Sequence, residues 1–349
     1  MKTLFILKRR EDFDPETHTN IRLSTGLYNS AEFVHKMLVE NGIESKLTVV
    51  VDNNGIDKEV HDFRPDIVFI EALWVVPEKF EILRSLHPTV TWVVRIHSDI
   101  PFMAQEGTAM QWIFDYVSQP KMIVAPNSPK MTSDIQRVSD VIHGEKKKKI
   151  AYLPNYYPVD VIASPKKINP KNDTINISSF GAIRPLKNQL IQAIAAIDFA
   201  AEKGLKLNFH LNSGRIEGFG DPCDANLHSL FEHLDQTRYQ VTFHRWLTHE
   251  KFINLTKEMD IGMQISFSET FNIVGADHVV NGIPFLGSNE IPWWGPMPVS
   301  TTDRTKLTQL LNGVYDSSEA NVLLNQINLI KYAGMSQTKW LEFLKGVEG

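Results

Sequence analysis

Short apolar runs rich in β-branched residues alternate along this chain with segments whose apolar positions recur every three or four residues. In the first half the short runs are Leu4–Lys8, Leu47–Val51, Asp66–Glu71, Thr91–Ile96 and Met122–Ala125, and each predicts a strand. Between the first two lies Ser30–Asn41, where Ala31, Val34, Met37 and Leu38 share one helical face and Gly42 supplies a stop. The pattern breaks at Pro154–Pro170, whose prolines 154, 158, 165 and 170 suit an interdomain connector. It then restarts with strand Ile175–Phe180, helix Gln189–Lys203, strand Leu205–Leu211, helix Leu227–Leu234 and strand Gln240–Phe243. Helix Glu250–Met259, strand Ile261–Ile265, helix Phe271–Val280, strand Pro284–Leu286 and helix Arg304–Val314 follow. The last stretch, Val322–Val347, reads as helical with no strand after it.

Strands alternating with helices imply βαβ units, a mostly parallel sheet and right-handed crossovers. The expected fold class is therefore α/β, with two Rossmann-like, doubly wound domains facing across a cleft. The domains would be residues 1–160 and 171–330, with a C-terminal helix over 331–349 free to pack back on the first. A length of 349 residues agrees, because single cores usually stop growing below that size. Ligands of open α/β sheets bind outside the carboxyl ends of the strands, so chemistry is to be sought just after each strand.

Composition narrows the classes. Apolar residues at 42% and charged residues at 22% are ordinary for a globular protein. Net charge is −5, and neither half is basic: 19 Lys/Arg against 22 Asp/Glu up to residue 160, and 17 against 19 beyond it. Polyanion binding would need a local patch such as Lys8, Arg9 and Arg10 or Lys146–Lys149. Cys223 is the one cysteine, which excludes an intrachain disulfide and any multi-cysteine metal site. The N-terminal apolar run is too short for a signal peptide or membrane span, so the N-x-S/T triplets at Asn172, Asn176 and Asn254 read as chance and the expected location is the cytoplasm. No H-E-x-x-H occurs, and His228/His233 and His244/His249 lie five apart, which suits no helical metal face; no catalytic metal and no cofactor are expected.

Two loops carry candidate chemistry. Phe180-Gly181-Ala182-Ile183-Arg184-Pro185-Leu186-Lys187-Asn188 follows a strand and opens a long helix. Gly181 permits a tight turn, while Arg184 and Lys187 bring two cations to a helix N-terminus, which together make an anion site suited to a diphosphate. The alternative is a solvated loop with two surface charges. In the second loop, Ser266 to Thr270 follows an apolar strand and a helix is expected from Phe271, so the amides of Asn272 and Ile273 would fall in its first turn, where backbone N–H groups lack helical partners. Glu269 lies just outside that turn and Asp277 eight residues later; two carboxylates there can accept bonds from sugar and ribose hydroxyls. Their alternative roles are a helix-terminal charge and a surface residue.

Ser268 through Asp277, followed by Val280-Asn281-Gly282-Ile283-Pro284, resembles the E-x7-E region of retaining GT-B glycosyltransferases of the family 4 type (glycosyl transferases group 1). Phe180-Gly181 through Lys187-Asn188 resembles that family's phosphate loop, Tyr152-Leu153-Pro154-Asn155 its I-P-N-G turn, and Ser24-Thr25-Gly26-Leu27 its N-terminal glycine loop. The resemblance implies transfer of a sugar from a nucleotide-diphosphate sugar, a UDP-sugar above all, to an acceptor hydroxyl with retention of configuration. It implies that Glu269 contacts the donor sugar, that Asp277 holds the ribose, and that Arg184 and Lys187 neutralise the diphosphate. Thr270, Phe271, Asn272, Ile273, Gly181 and Gly26 are expected to line the donor. This chain departs from the pattern in having Asp at 277 rather than Glu, Asn272 where a glycine is usual, and Ala182 where an arginine is usual.

Weaker candidates complete the set. His97, after strand Thr91–Ile96, stands where similar enzymes bind the donor sugar, although a lone histidine is more often structural. Asn212 and Arg215 follow a strand of the second domain, and Trp246 and Leu247 stand where similar enzymes contact the nucleobase. Trp293-Trp294 is either a stacking surface or a buried corner. The acceptor is open: a glycan, a small molecule or a hydroxymethylated base in DNA, with nucleic acid not indicated by net charge. A nucleotide-sugar epimerase and a non-catalytic nucleotide-sugar-binding protein are the competing readings.

Overall fold

The computed structural model describes residues 1–8, 12–14, 19–21, 26–144, 149–212, 214–295 and 299–348. The chain divides into two compact units, Met1–Pro158 with the stretch from Tyr332 onward, and Val159–Lys331.

In the first unit the order is β1 (Lys2–Lys8), β2 (Asp12–Asp14), β3 (Thr19–Ile21), α1 (Gly26–Glu40), β4 (Glu44–Val50), α2 (Gly55–Phe63), β5 (Ile67–Glu71), α3 (Lys79–Leu86), β6 (Thr91–Ile96), α4 (Ile100–Met103), α5 (Ala109–Ser118), β7 (Met122–Pro126) and α6 (Pro129–His143). Five strands form one parallel sheet in the order β4-β1-β5-β6-β7, and β2 pairs with β3 as a separate antiparallel ribbon. Alternate residues use the two faces. Leu4, Ile6, Val68 and Ile70 enter a core with Phe80, Leu83, Ile113 and Tyr116. Phe5 and Phe69 point the other way and stack at 4.7 Å, with Trp340 edge-on to Phe69 at 5.2 Å. Burial on both faces is why these strands read as unbroken apolar runs. Trp340 comes from the C-terminal helix and donates from Nε1 to Pro154 O (2.8 Å), so the end of the chain seals the second face.

The second unit contains β8 (Thr174–Ser178), a 3-10 turn (Pro185–Lys187), α7 (Gln189–Lys203), β9 (Lys206–Asn212), α8 (Asp221–Glu232), β10 (Tyr239–His244), α9 (His249–Glu258), β11 (Ile261–Gln264), α10 (Ile273–Val280), β12 (Phe285–Gly287) and α11 (Arg304–Asp316); α12 (Ser318–Glu348) begins here and belongs to the first unit from Tyr332 onward. Its parallel sheet runs β10-β9-β8-β11-β12. Residues 159–170, expected as connector, attach here: Ala163 N donates to Val280 O (2.8 Å) and Lys166 N to Gly282 O (2.7 Å).

One face of this sheet carries Ile175, Ile177, Leu207, Phe209 and Leu211 into a core with Ala193, Ala196 and Phe199 of α7, Phe231 of α8 and Leu307 and Leu311 of α11. The other face of β8–β10 is polar. Thr242 bonds Asn208 (2.8 Å), His210 bonds both His244 (2.8 Å) and Asn176 (3.1 Å), and Asn176 N donates to Asp260 (2.9 Å). Alternation there is apolar–polar, the pattern of a sheet with one dry face. On the far side of the sheet α10 sits tight on β11. A Cβ at Gly262 would lie 2.4 Å from the His278 ring, so only glycine admits this approach. Among the described residues no helix is long and apolar enough to cross a membrane.

Candidate active site

In the second sheet the strand order reverses between β8 and β11, the position where crossover helices leave to opposite faces and a crevice opens at the strands' carboxyl ends. Residues 179–188 follow β8 and residues 265–272 follow β11, so the two candidate loops flank this point.

The first loop is shaped by two unusual backbone positions. Gly181 has φ +119°, outside the reach of other residues, and its N–H donates to Asn212 Oδ1 (2.7 Å). Asn188 takes the left-handed conformation (φ 58°), and its amide donates to Ile265 O (3.0 Å) and Thr301 O (2.7 Å). Phe267 N donates to Leu186 O (2.9 Å), and Gln192 accepts from Ile265 N (3.1 Å) while donating to Lys187 O (2.8 Å). The two loops are thus stitched together by the Asn188 and Gln192 side-chain amides and one backbone bond before any charge is counted.

That stitching sets Lys187 Nζ 2.5 Å from Glu269 Oε1, with both side chains nine-tenths buried or close to it. Burial pushes the lysine's pKa down, and the charge of Glu269 offsets only part of that. For Glu269 burial acts to raise the pKa, but the charge and hydrogen bond of Lys187, with Ser266 and Arg184 assisting, hold it below the ordinary carboxylate value. The result is an ionised pair in a water-poor place, where an anion is felt strongly.

Asn272 changes the reading of its loop. It adopts φ 66°, ψ 81° and serves as the N-cap of α10, its Oδ1 accepting from Gly275 N (2.7 Å). The helix therefore begins at Ile273, not at Phe271, and the Asn272 amide lies outside the first turn. Asparagine is the non-glycine residue best suited to this conformation and to capping, which accounts for its presence where glycine is usual. Its Nδ2 also donates to Glu269 Oε1 (2.9 Å) and Gln264 Oε1 (3.0 Å). Thr270 and Phe271 are buried, and Phe271 O accepts from Trp293 Nε1 (2.6 Å). Trp293 also stacks on Phe285, so the Trp293-Trp294 pair is a buried corner at its first member.

Arg184 is extended and its Nη1 lies 3.4 Å from Glu217 Oε2; Glu217 is also bonded by Arg215, whose guanidinium covers the Trp246 ring at 4.8 Å. Leu247 packs with Phe180, Leu255 and Ile283. Asp277 is buried on α10 and bonded to His249 Nε2 (2.9 Å). The remaining histidine pairs are also accounted for: His244 bonds His210 and His228 stacks on Phe243.

His97 belongs to a different cluster, in the first unit. Its Nε2 is 2.6 Å from Glu71 Oε2, and its Nδ1 is 3.4 Å from Asn127 Nδ2. Fully buried Arg95 donates to both Glu71 oxygens (2.9 and 3.0 Å), to Asn155 Oδ1 (3.0 Å), and lies over Trp340 at 4.8 Å. Burial, opposed by the Glu71 bond, depresses the His97 pKa and keeps the imidazole neutral. Gly26 opens α1 as its first residue. Ser24, Thr25, Arg9, Arg10, Ser213 and Lys146–Lys148 lie outside the described residues; Lys149 donates to Gln119 O.

Four partners had no prior signal strong enough to find them: Gln192, Gln264, Glu217 and His249. The clue for the first two was a glutamine standing alone in an apolar stripe, Gln192 within an alanine-rich helix face and Gln264 at the end of Ile261–Gln264. A buried glutamine in such a place must find partners.

No protein-family model and no curated protein matches the chain. Solved structures do match. A sucrose-phosphate synthase from Thermosynechococcus elongatus aligns over 99% of both chains with a TM-score of 0.69 and 11% identity. Anabaena HepE, solved in complex with UDP and glucose, aligns over 99% of this chain and 100% of its own (TM-score 0.64, 12% identity). A UDP-forming α,α-trehalose-phosphate synthase from Burkholderia xenovorans aligns over 85% of this chain and 78% of its own (TM-score 0.64, 11% identity). At these identities the likeness is one of fold: the chain has the two-domain, parallel-sheet α/β fold of the GT-B glycosyltransferases.

Proposed function

We propose that this protein is a glycosyltransferase that moves a sugar from a nucleotide-diphosphate sugar, with UDP as the nucleotide, to an acceptor hydroxyl with retention of configuration. The observation that carries this reading is the Lys187–Glu269 pair at the reversal of the second sheet, built from two loops held together by Asn188 and Gln192. The solved complexes of a protein of this fold with UDP and glucose support the choice of donor.

Transfer breaks the bond between the anomeric carbon and the diphosphate, so negative charge grows on the leaving oxygen. Lys187, Arg184 and the Ile273 amide at the start of α10 are the groups offered to that charge; they stabilise the transition state more than the ground state and stand in for a metal. Glu269 accepts bonds from sugar hydroxyls, and Asp277 with His249 takes the ribose. Attack comes from the leaving group's face: the acceptor oxygen bonds to the anomeric carbon as its proton passes to the departing phosphate. No side chain is needed as general base. The first unit serves the acceptor, His97 is the residue there proposed for the donor sugar, and the single cysteine suits a reducing cytoplasm.

The test is to incubate the protein with UDP-sugars, alone and with small-molecule, glycan and hydroxymethylated-DNA acceptors, and to follow UDP release and the anomer formed. Acceptor-dependent UDP release with retention is expected. Conversion of the donor with no acceptor present would instead mark an epimerase, and donor binding without turnover a non-catalytic binder.

A further inference from the structure

Beyond the Lys187–Glu269 pair, the second unit gathers a second group of charges on the loop after β9. Residues 214–220 are strapped to the stretch that carries Arg184: Ile183 N donates to Arg215 O (3.0 Å) and Glu217 N to Ile183 O (3.0 Å). Gly220 allows the strap, since a Cβ there would lie 2.1 Å from Ile183 O. Phe219 holds φ +66° beside it, a conformation that costs a bulky residue energy and persists only where its surroundings impose it.

What the strap presents is Glu217. One carboxylate oxygen receives both Nε and Nη2 of Arg215 at 2.6 Å, and the other faces Arg184 Nη1 at 3.4 Å. Arg215 is itself fixed from behind by the Trp246 ring, a stacked arrangement that suits the flat guanidinium. Arg184 thus leans on a carboxylate that cannot drift. Its charge is felt by the pair at the sheet reversal, lowering the pKa of Lys187 together with burial and helping to keep Glu269 ionised. Left unsupported, an arginine side chain gives up considerable rotamer freedom when it grips an anion.

We propose that Glu217 is a positioning residue for Arg184: pinned by Arg215 on Trp246, it holds the guanidinium where a donor's diphosphate binds. The proposal rests on the nucleotide-sugar reading above. Its test is calorimetric binding of UDP to wild type, Arg184→Ala, Glu217→Ala and the double variant, with melting temperatures measured alongside. Each single change should weaken UDP about tenfold or more, the scale of one charge-assisted hydrogen bond. The double variant should bind no more than about twofold worse than Arg184→Ala, because Glu217 acts only through that side chain. If the two losses multiply, or if Glu217→Ala binds UDP as wild type does, the proposal is wrong while the donor site stands. Wild type that fails to bind UDP removes the donor reading and the proposal with it. Should Glu217→Ala melt early, Glu217→Gln carries the same test, its weakening vanishing in the Arg184→Ala background.

Discussion

Replacing Lys187 with alanine should cost both activity and stability, and the second loss has a characteristic pH signature. The change leaves Glu269 nine-tenths buried, with the Asn272 amide donating at 2.9 Å and Ser266 and Arg184 as its other support. Two routes are open to the carboxylate. It can stay charged, and breaking a buried pair in this way costs about 3–5 kcal/mol. Alternatively it takes up a proton, which at pH 7 costs roughly 3–4 kcal/mol for a group whose free pKa is near 4.3. Both routes arrive at a similar figure, so destabilisation of about 3–4 kcal/mol is expected, somewhat less if the Asn272 bond helps the charged form. For a domain of this size that is a fall in melting temperature of roughly 6–16 °C. The proton route grows cheaper as the pH falls, so the deficit against wild type should shrink between pH 7 and pH 5. Lys187→Met combined with Glu269→Gln removes both charges and should regain most of the stability while remaining inactive, with turnover down by about 10²–10³ or more. Calorimetric melts at several pH values, paired with UDP-release assays, supply the test. A single variant with wild-type melting and turnover, or a double variant no more stable than the single, would refute the reasoning.

Three other outcomes are expected. Gly181→Ala forces a Cβ into φ +119°; its melting temperature should fall by an amount equivalent to about 1–3 kcal/mol and donor binding should weaken, as differential scanning and UDP titration would show. Asn272→Gly keeps the left-handed turn but loses the cap and the bond to Glu269, whereas Asn272→Ala loses all three, so urea denaturation should rank wild type above glycine and glycine above alanine, with the cap alone worth about 1 kcal/mol. Burial, with the charge of His244, lowers the His210 pKa to about 4, so His210 stays neutral in the fold while the unfolded chain takes up its proton near pH 6.5. Its contribution is complete above pH 6.5 and is lost as the pH falls toward 4, a difference of about 3 kcal/mol; His210→Gln should flatten the pH dependence of the melts, and an unchanged dependence would assign the acid sensitivity elsewhere.

The periodicity of apolar residues determined a great deal on its own. Runs such as Thr91–Ile96 and Ile261–Gln264 must bury both faces, and a chain alternating them with helical stretches has little choice but parallel sheets. The same local signals marked Gly181, Lys187 and Glu269, because a glycine, a cation and an acid just after strands are legible without knowing what they meet. Local signals failed where meaning depends on a distant partner. Asn272 read as a departure that narrows the loop, yet the fold uses it as a left-handed cap that also bonds Glu269. Asp277, read as a ribose-holding carboxylate or else a surface residue, is buried and already bonded to His249; His97, read as a lone histidine, is bonded to Glu71, 26 residues away. Glu217, silent in the sequence, ties Arg184 to Arg215. Backbone preference and burial are properties of neighbours along the chain, so sequence alone can set them. Which charge answers which is decided only when strand order brings β8 beside β11, with Lys187 and Glu269 82 positions apart in the chain, because an ion pair is governed by distance in space.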